Sequence, residues 1–126
     1  MLTAREQEND RALRLRGFII YLLYKARPNP VEMAVLMRLL DRVSYPVTRR
    51  RLAEEVDYLR SLKLLRVFNS DATDELNEVQ QAKLVQQYIT SDSDSDLPFV
   101  LCVRLTATGI NFQEGLEEIK GVQRVE

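Results

Sequence analysis

The chain has 126 residues, 45% of them hydrophobic and 29% charged, which is an ordinary mix for one globular domain. A chain of this length buries roughly two-thirds of its unfolded surface, so it needs no metal or disulfide to hold a fold. It contains no histidine and a single cysteine, Cys102. An internal disulfide is therefore excluded, and the commonest general base and metal ligand are missing.

The longest apolar run, Phe18 to Tyr24, is seven residues, where a membrane-spanning helix needs about twenty. The opening Met-Leu-Thr-Ala-Arg-Glu lacks the apolar core of a signal peptide. The expectation is a cytoplasmic protein with no membrane partner. The net charge of −1 conceals an asymmetry: residues 1–66 carry 14 Lys and Arg against 8 Asp and Glu, and residues 67–126 carry 4 against 11. The basic front half suits phosphate and the acidic back half does not.

In chain order, Thr3-Ala-Arg-Glu6 fits a capping box, and a helix is expected from there to about Ala26. Leu13, Phe18, Ile19, Leu22 and Leu23 recur at helical spacing. Gly17 costs roughly 1 kcal/mol against alanine inside a helix, so it marks a candidate close contact. Pro28 and Pro30 end the helix. Asn29-Pro30-Val31-Glu32 reads as the start of the next, with Asn29 as cap and Pro30 as first helical residue. Met33, Leu36, Met37 and Leu40 form its stripe. After the break at Ser44 to Val47, Thr48 caps a third helix from Arg49 to about Leu62, with Leu52, Val56 and Leu59 inward.

Leu64 to Phe68 reads as a strand. Asp74 to Ile89 reads as a helix, and Lys83 to Ile89 is equally able to extend a hairpin strand. Ser91-Asp-Ser-Asp-Ser-Asp96 is low complexity, expected as a mobile acidic loop. Phe99 to Leu105 is a second strand. Thr106 to Gly109 turns into a last helix over about Ile110 to Ile119. The expected architecture is α+β, mostly α: a winged helix-turn-helix with three helices, a two-stranded wing with a long acidic insertion, and a C-terminal helix. One domain spans residues 1–126, with 69–98 as the wing insertion. The expected core is Leu22, Leu36, Leu40, Leu52, Val56, Leu59, Leu65, Leu101, Val103 and Leu105.

Val47-Thr-Arg-Arg-Arg-Leu-Ala-Glu-Glu-Val-Asp-Tyr-Leu59 and Leu62-Lys-Leu-Leu65 resemble the recognition-helix region of winged-helix proteins. Leu105-Thr-Ala-Thr-Gly109, with Lys120-Gly-Val-Gln-Arg124, resembles the tail of one group of them, the small winged-helix proteins of Mu-like phages and prophages. The resemblance covers residues 10–68 and 99–124. It departs at 69–98, where the compact members have a short wing. It implies a phage or prophage setting and supplies no activity and no functional residues.

The winged-helix plan offers its third helix to a nucleic-acid groove. Thr48, Arg49, Arg50 and Arg51 open that helix, where guanidiniums, free amides and helix dipole all favour phosphate. Tyr45 stands at the preceding turn, able to stack on a base or to pack against Pro46. Against this, Arg50 with Glu54 and Arg51 with Glu55 are four apart and can pair within the helix. Glu54 and Asp57 would repel phosphate. The basic residues of the first helix, Arg11, Arg14, Arg16, Lys25 and Arg27, serve equally to keep it soluble.

Asp92, Asp94 and Asp96 have the one-three-five spacing of a calcium loop, but Val103 stands where the twelfth-position Glu is needed. No metal or other cofactor is expected. Cys102, on an apolar strand with no histidine to activate it, reads as a structural thiol. No acid–base pair or phosphate loop appears, so no enzyme is expected. The leading expectation is a nucleic-acid-binding protein acting on double-stranded DNA, in phage gene control or DNA handling. The alternative is a non-enzymatic adaptor that holds a protein partner with the same fold. A homodimer through the first helix is also expected, because Phe18 to Tyr24 is apolar around most of the helix.

Overall fold

The structure, a computed structural model, describes residues 3–72 and 75–126. It is α+β and mostly helical among those residues. The elements run α1 (Ala4–Ala26), β1 (Val31–Glu32), α2 (Met33–Arg42), α3 (Arg49–Ser61), β2 (Leu65–Asn69), α4 (Glu78–Thr90), β3 (Leu101–Leu105) and α5 (Ala107–Gln113). The strands form one antiparallel sheet in the order β1-β3-β2.

The N-terminal cap of α1 is as the sequence suggests, with the Thr3 hydroxyl accepting from the Glu6 amide at 3.1 Å. Ile19, Ile20 and Leu23 turn inward, whereas Leu22 is only half-buried. The second helix starts later than expected. Val31 and Glu32 are extended and pair with Val103 and Cys102 of β3. The Asn29 cap is therefore corrected: Glu32 holds the cap position, without a side-chain bond, and α2 begins at Met33. The extended dipeptide lets β-branched Val31 enter the core and gives β3 a second neighbour, which outweighs the local capping pattern.

Helix α3 follows from its own sequence: Thr48 accepts from the Arg51 amide at 3.1 Å, and Leu52, Val56 and Leu59 are fully buried. In the sheet, Leu65 faces Leu105 and Val67 faces Val103 toward the helices, while Arg66 faces Arg104 and Phe68 faces Cys102 on the other side. Of the ten expected core residues, Leu22 and Leu105 stop at half-burial and the other eight are buried.

The 69–98 insertion departs most from expectation. It does not lengthen the hairpin. The expected helix start at Asp74 lies outside the described residues. The helix itself is α4, fixed by a reciprocal box between Asn77 and Gln80, and the strand alternative for Lys83 to Ile89 is corrected. α4 folds back along the free edge of β2 and against α3. Val85 and Tyr88 join the core, and Gln81, almost fully buried, accepts from the Val67 amide at 3.2 Å. The Ser-Asp stretch is bound rather than free: Asp94–Asp96 form a 3₁₀ turn, and Ser91 and Asp94 both receive Arg49. The acidic stretch is thus placed against the first turn of α3 rather than as an extension of the wing. Its Ser and Asp side chains bury nothing apolar, but they satisfy a guanidinium that would otherwise be stranded.

The last helix is α5, starting at Ala107 and ending before the expected Ile110–Ile119 span is complete. Thr106 supplies the cap, accepting from the Gly109 amide at 3.1 Å and donating to the Lys63 carbonyl at 2.6 Å. The chain leaves α5 through Gly115 at φ 81°, a value that favours glycine. Beyond it the tail lies on α1. The Gln123 amide donates to the Leu13 carbonyl at 3.1 Å, and Val122 is buried. Gly17 is the close contact its cost suggested: a Cβ there would stand 1.6 Å from the Gln123 carbonyl oxygen. Within the chain α1 packs against α2, α3, β3 and α5, and Phe18 and Leu22 stay half-buried at the margin of the core.

Leu52→Ala or Leu59→Ala is expected to lower the unfolding free energy by about 2–5 kcal/mol in urea titration. Gly17→Ala is expected to destabilise by about 1–3 kcal/mol, because the methyl group collides with the tail backbone. At an open helix position the same change would stabilise by about 1 kcal/mol, so the sign of the shift reads the contact.

Candidate functional site

Two features meet at the first turn of α3: the arginine run and a cleft beside it. Arg49, expected to face outward, instead turns into the chain. Its Nη1 donates to the Tyr88 carbonyl at 2.8 Å and the Ser91 carbonyl at 2.7 Å, its Nη2 to the Ser91 hydroxyl at 2.9 Å, and its Nε to Asp94 at 3.0 Å. The guanidinium also lies 3.7 Å from the centroid of the Tyr88 ring. It closes the C-terminus of α4, where free carbonyls and helix dipole attract a cation. Helical spacing fixes where Arg49 stands on α3, but not that the insertion would return to meet it.

Arg51 is also engaged, with Nη1 3.3 Å from Glu8 and Nε 3.4 Å from Glu55. Glu55 is buried and also receives Arg16, whose Nη1 donates to the Gly121 carbonyl at 2.9 Å and whose guanidinium stacks on Tyr58. Arg50 alone of the three remains open. Its side chain is 76% exposed and holds Glu54 at 3.1 Å, the intrahelical pairing its spacing suggested. Thr48 spends its hydroxyl oxygen on the cap. Tyr45 is half-buried, its ring 4.7 Å from that of Phe18, and packs with the core rather than standing out as a stacking platform. The structure therefore brings Thr48 and the arginines together at one helix end but leaves a narrow outward strip, Arg50 and Glu54.

The cleft beside this turn is about 690 Å³ and lies between α2, the turn into α3, and the loop after α4. Met37, Pro46, Val47 and the Tyr88 ring give it an apolar lining. Arg38, Asp41 and Arg42 stand on its α2 side, and Asp92 and Asp94 on the far side. Tyr88 is 2% exposed, and its buried hydroxyl has no hydrogen-bond partner. Burial, followed by the charge of Asp94 and opposed by Arg49, pushes its pKa up to about 12. Sequence reasoning missed this cleft. Arg38 and Arg42, four apart on α2 with Asp41 the one acid near them, were its one legible trace.

Among the described residues no group of three or more His, Cys, Asp or Glu side chains is arranged to hold a metal ion. No described helix is long and apolar enough to cross a membrane. Cys102 is buried on β3, and burial raises its thiol pKa, with the charge of Glu32 adding to the effect. A scan against protein-family models, a search of curated proteins and a search of solved structures each return no match.

Arg49→Ala is expected to destabilise the fold by about 2–4 kcal/mol, the scale of losing charge-assisted hydrogen bonds at a largely buried site. Arg50→Ala should stay within about 0.5 kcal/mol, as for an exposed side chain. Thermal unfolding of the two variants checks the contrast. Alkaline spectrophotometric titration should show one tyrosine ionising near pH 12, and Tyr88→Phe should remove that step. Because the folded pKa lies above the ordinary value of 10.0, this group's contribution to stability is complete below pH 10 and is lost as pH rises toward 12.

Proposed function

We propose that this chain is a winged-helix protein working as a non-enzymatic adaptor, one that binds a protein partner rather than a DNA groove. The winged-helix reading is supported by the element order: three helices, a short first strand, and two later strands around which the sheet closes as β1-β3-β2. The resemblance to the small proteins of Mu-like phages gives the proposal a phage or prophage setting.

One observation carries the choice of partner. α4 lies against α3, the helix this plan would offer to DNA, and engages its charged side chains from within the chain. Arg60 of α3 donates to Glu78 of α4 at 2.9 Å, and Arg49 is enclosed by the end of the same helix. A major-groove reader needs the flank of its recognition helix free for side chains to reach base edges. Here that flank is occupied, and the open strip mixes Arg50 with Glu54 and Asp57.

Double-stranded DNA remains the second reading, favoured by the exposed Arg50 at the first turn of α3. Fluorescence anisotropy with a random labelled duplex at low and moderate salt separates the two. The adaptor reading expects no saturable binding at low salt. Saturable binding that weakens steeply with salt and disappears in Arg50→Glu would overturn it in favour of DNA.

A further inference from the structure

The most exposed large apolar side chain among the described residues is Leu116, at 71%. It stands in the loop after α5, in the run Glu114-Gly-Leu-Glu-Glu118, with Lys120 two residues beyond. Glu117 and Lys120 are exposed and make no ion pair or hydrogen bond among the described residues. Tyr24 holds Glu114 at 2.9 Å and the tail is bonded to α1, so this loop is presented from the α1 side of the molecule as a fixed projection.

The cleft beside α3 has the opposite character. Its floor is apolar, and Arg38 and Arg42 form no ion pair among the described residues, in contrast to every arginine of α3. Across the cleft Asp92 is likewise unpaired. An apolar knob flanked by Glu117 and Lys120 matches an apolar socket whose α2 wall is net positive, Arg38 and Arg42 outweighing Asp41, and whose far wall carries the unpaired Asp92. Knob and socket are on different elements: the knob follows α5, and no residue of α5 or its following loop lines the cleft.

We propose that the chain docks head to tail on a second copy of itself, Leu116 of one copy entering the cleft of the next, with Glu117 facing Arg38 and Arg42, and Lys120 facing Asp92. This names a partner for the adaptor reading and rests on it. The contact is heterologous, so it propagates into a ring or filament unless capped. A single loop in a cleft covers less than the roughly 1,600 Å² of a standard stable interface, so association is weak and in fast exchange.

Sedimentation velocity of the full chain over rising concentration tests this. The weight-average mass should climb above the 14.6 kDa monomer at low salt and fall back at high salt. Two variants isolate the surfaces: a socket variant, Arg38→Glu with Arg42→Glu, and a knob variant, Leu116→Ser with Glu117→Gln. All four positions are solvent-facing or half-exposed on their elements, and circular dichroism checks that both variants fold. Each alone should remain monomeric. Their equimolar mixture should give a 1:1 dimer and nothing larger, because only one productive knob–socket pair exists between them. A wild type that stays monomeric throughout, or variants that still assemble singly, would overturn self-docking. Neither outcome touches the adaptor reading, which the DNA titration tests separately.

Discussion

The fold turns on how α4 is seated. Strand β2 is an outer strand of a three-stranded sheet, and an uncovered edge would leave the Val67 amide without a partner and open to pairing with another chain. The side chain of Gln81 supplies that partner. Its carbonyl oxygen takes the Val67 amide, and its own amide donates to the Leu76 carbonyl at 3.1 Å. A nearly fully buried glutamine is costly unless both ends are satisfied, and here both are. Val85 and Tyr88 then add apolar contact on the same helix, and Arg49 closes its far end. Edge protection, core completion and helix termination are thus one event, and α3 loses its open flank as a consequence.

The same seating explains the charge asymmetry. Read as sequence, the basic front half suits phosphate and the acidic back half does not. In the folded chain much of that charge meets itself: Arg49 with Asp94, Arg60 and Lys63 with Glu78, Arg66 and Arg104 with Glu75. Arg66 and Arg104 stand directly opposite each other across the strands, an arrangement that repels without a shared carboxylate. Surface ion pairs of this sort are individually weak. Their effect is on register, since they draw the insertion back onto the body rather than out along the hairpin.

How much was legible in the sequence follows from how local each cause is. Thr3, Thr48 and Thr106 cap helices by bonds spanning three residues, so α1 and α3 could be read closely; α5 was misread at its start because Gly109 was taken as a boundary, and at its end because the chain turns off at Gly115. The inward stripes of α2 and α3 are periodic, and Leu36, Leu40, Leu52, Val56 and Leu59 are buried as their spacing requires. Failures came where a distant segment decides. Val31 is extended because β3 is beside it, some seventy residues later in the chain. Arg49 turns inward because Ser91 arrives there. The cleft is built from α2, the turn before α3 and the loop after α4, and no stretch of sequence contains it. A polar Ser-Asp run looks free when only its own composition is weighed, since nothing in it reveals a guanidinium awaiting its acceptors.

The second charged cluster, around Glu55, shows why the outward strip of α3 is so narrow. A carboxylate at 6% exposure is unfavourable unless cations attend it, and Arg16 from α1 and Arg51 from α3 both do. Arg16 in turn reaches the Gly121 carbonyl and lies over the Tyr58 ring, so the tail, α1 and α3 share one network. Removing Arg51 to bind phosphate would leave Glu55 with a single partner, and removing Arg49 would expose the carbonyls that end α4. Both arginines are therefore held by groups whose own burial requires them. A ligand competing for either must first compensate an uncovered carboxylate or helix end, whereas Arg38 and Arg42 on α2 can be engaged with nothing left unsatisfied behind them. Unpaired positive charge thus lies on the wall of this cleft, at Arg38 and Arg42, whereas every arginine of α3 is paired.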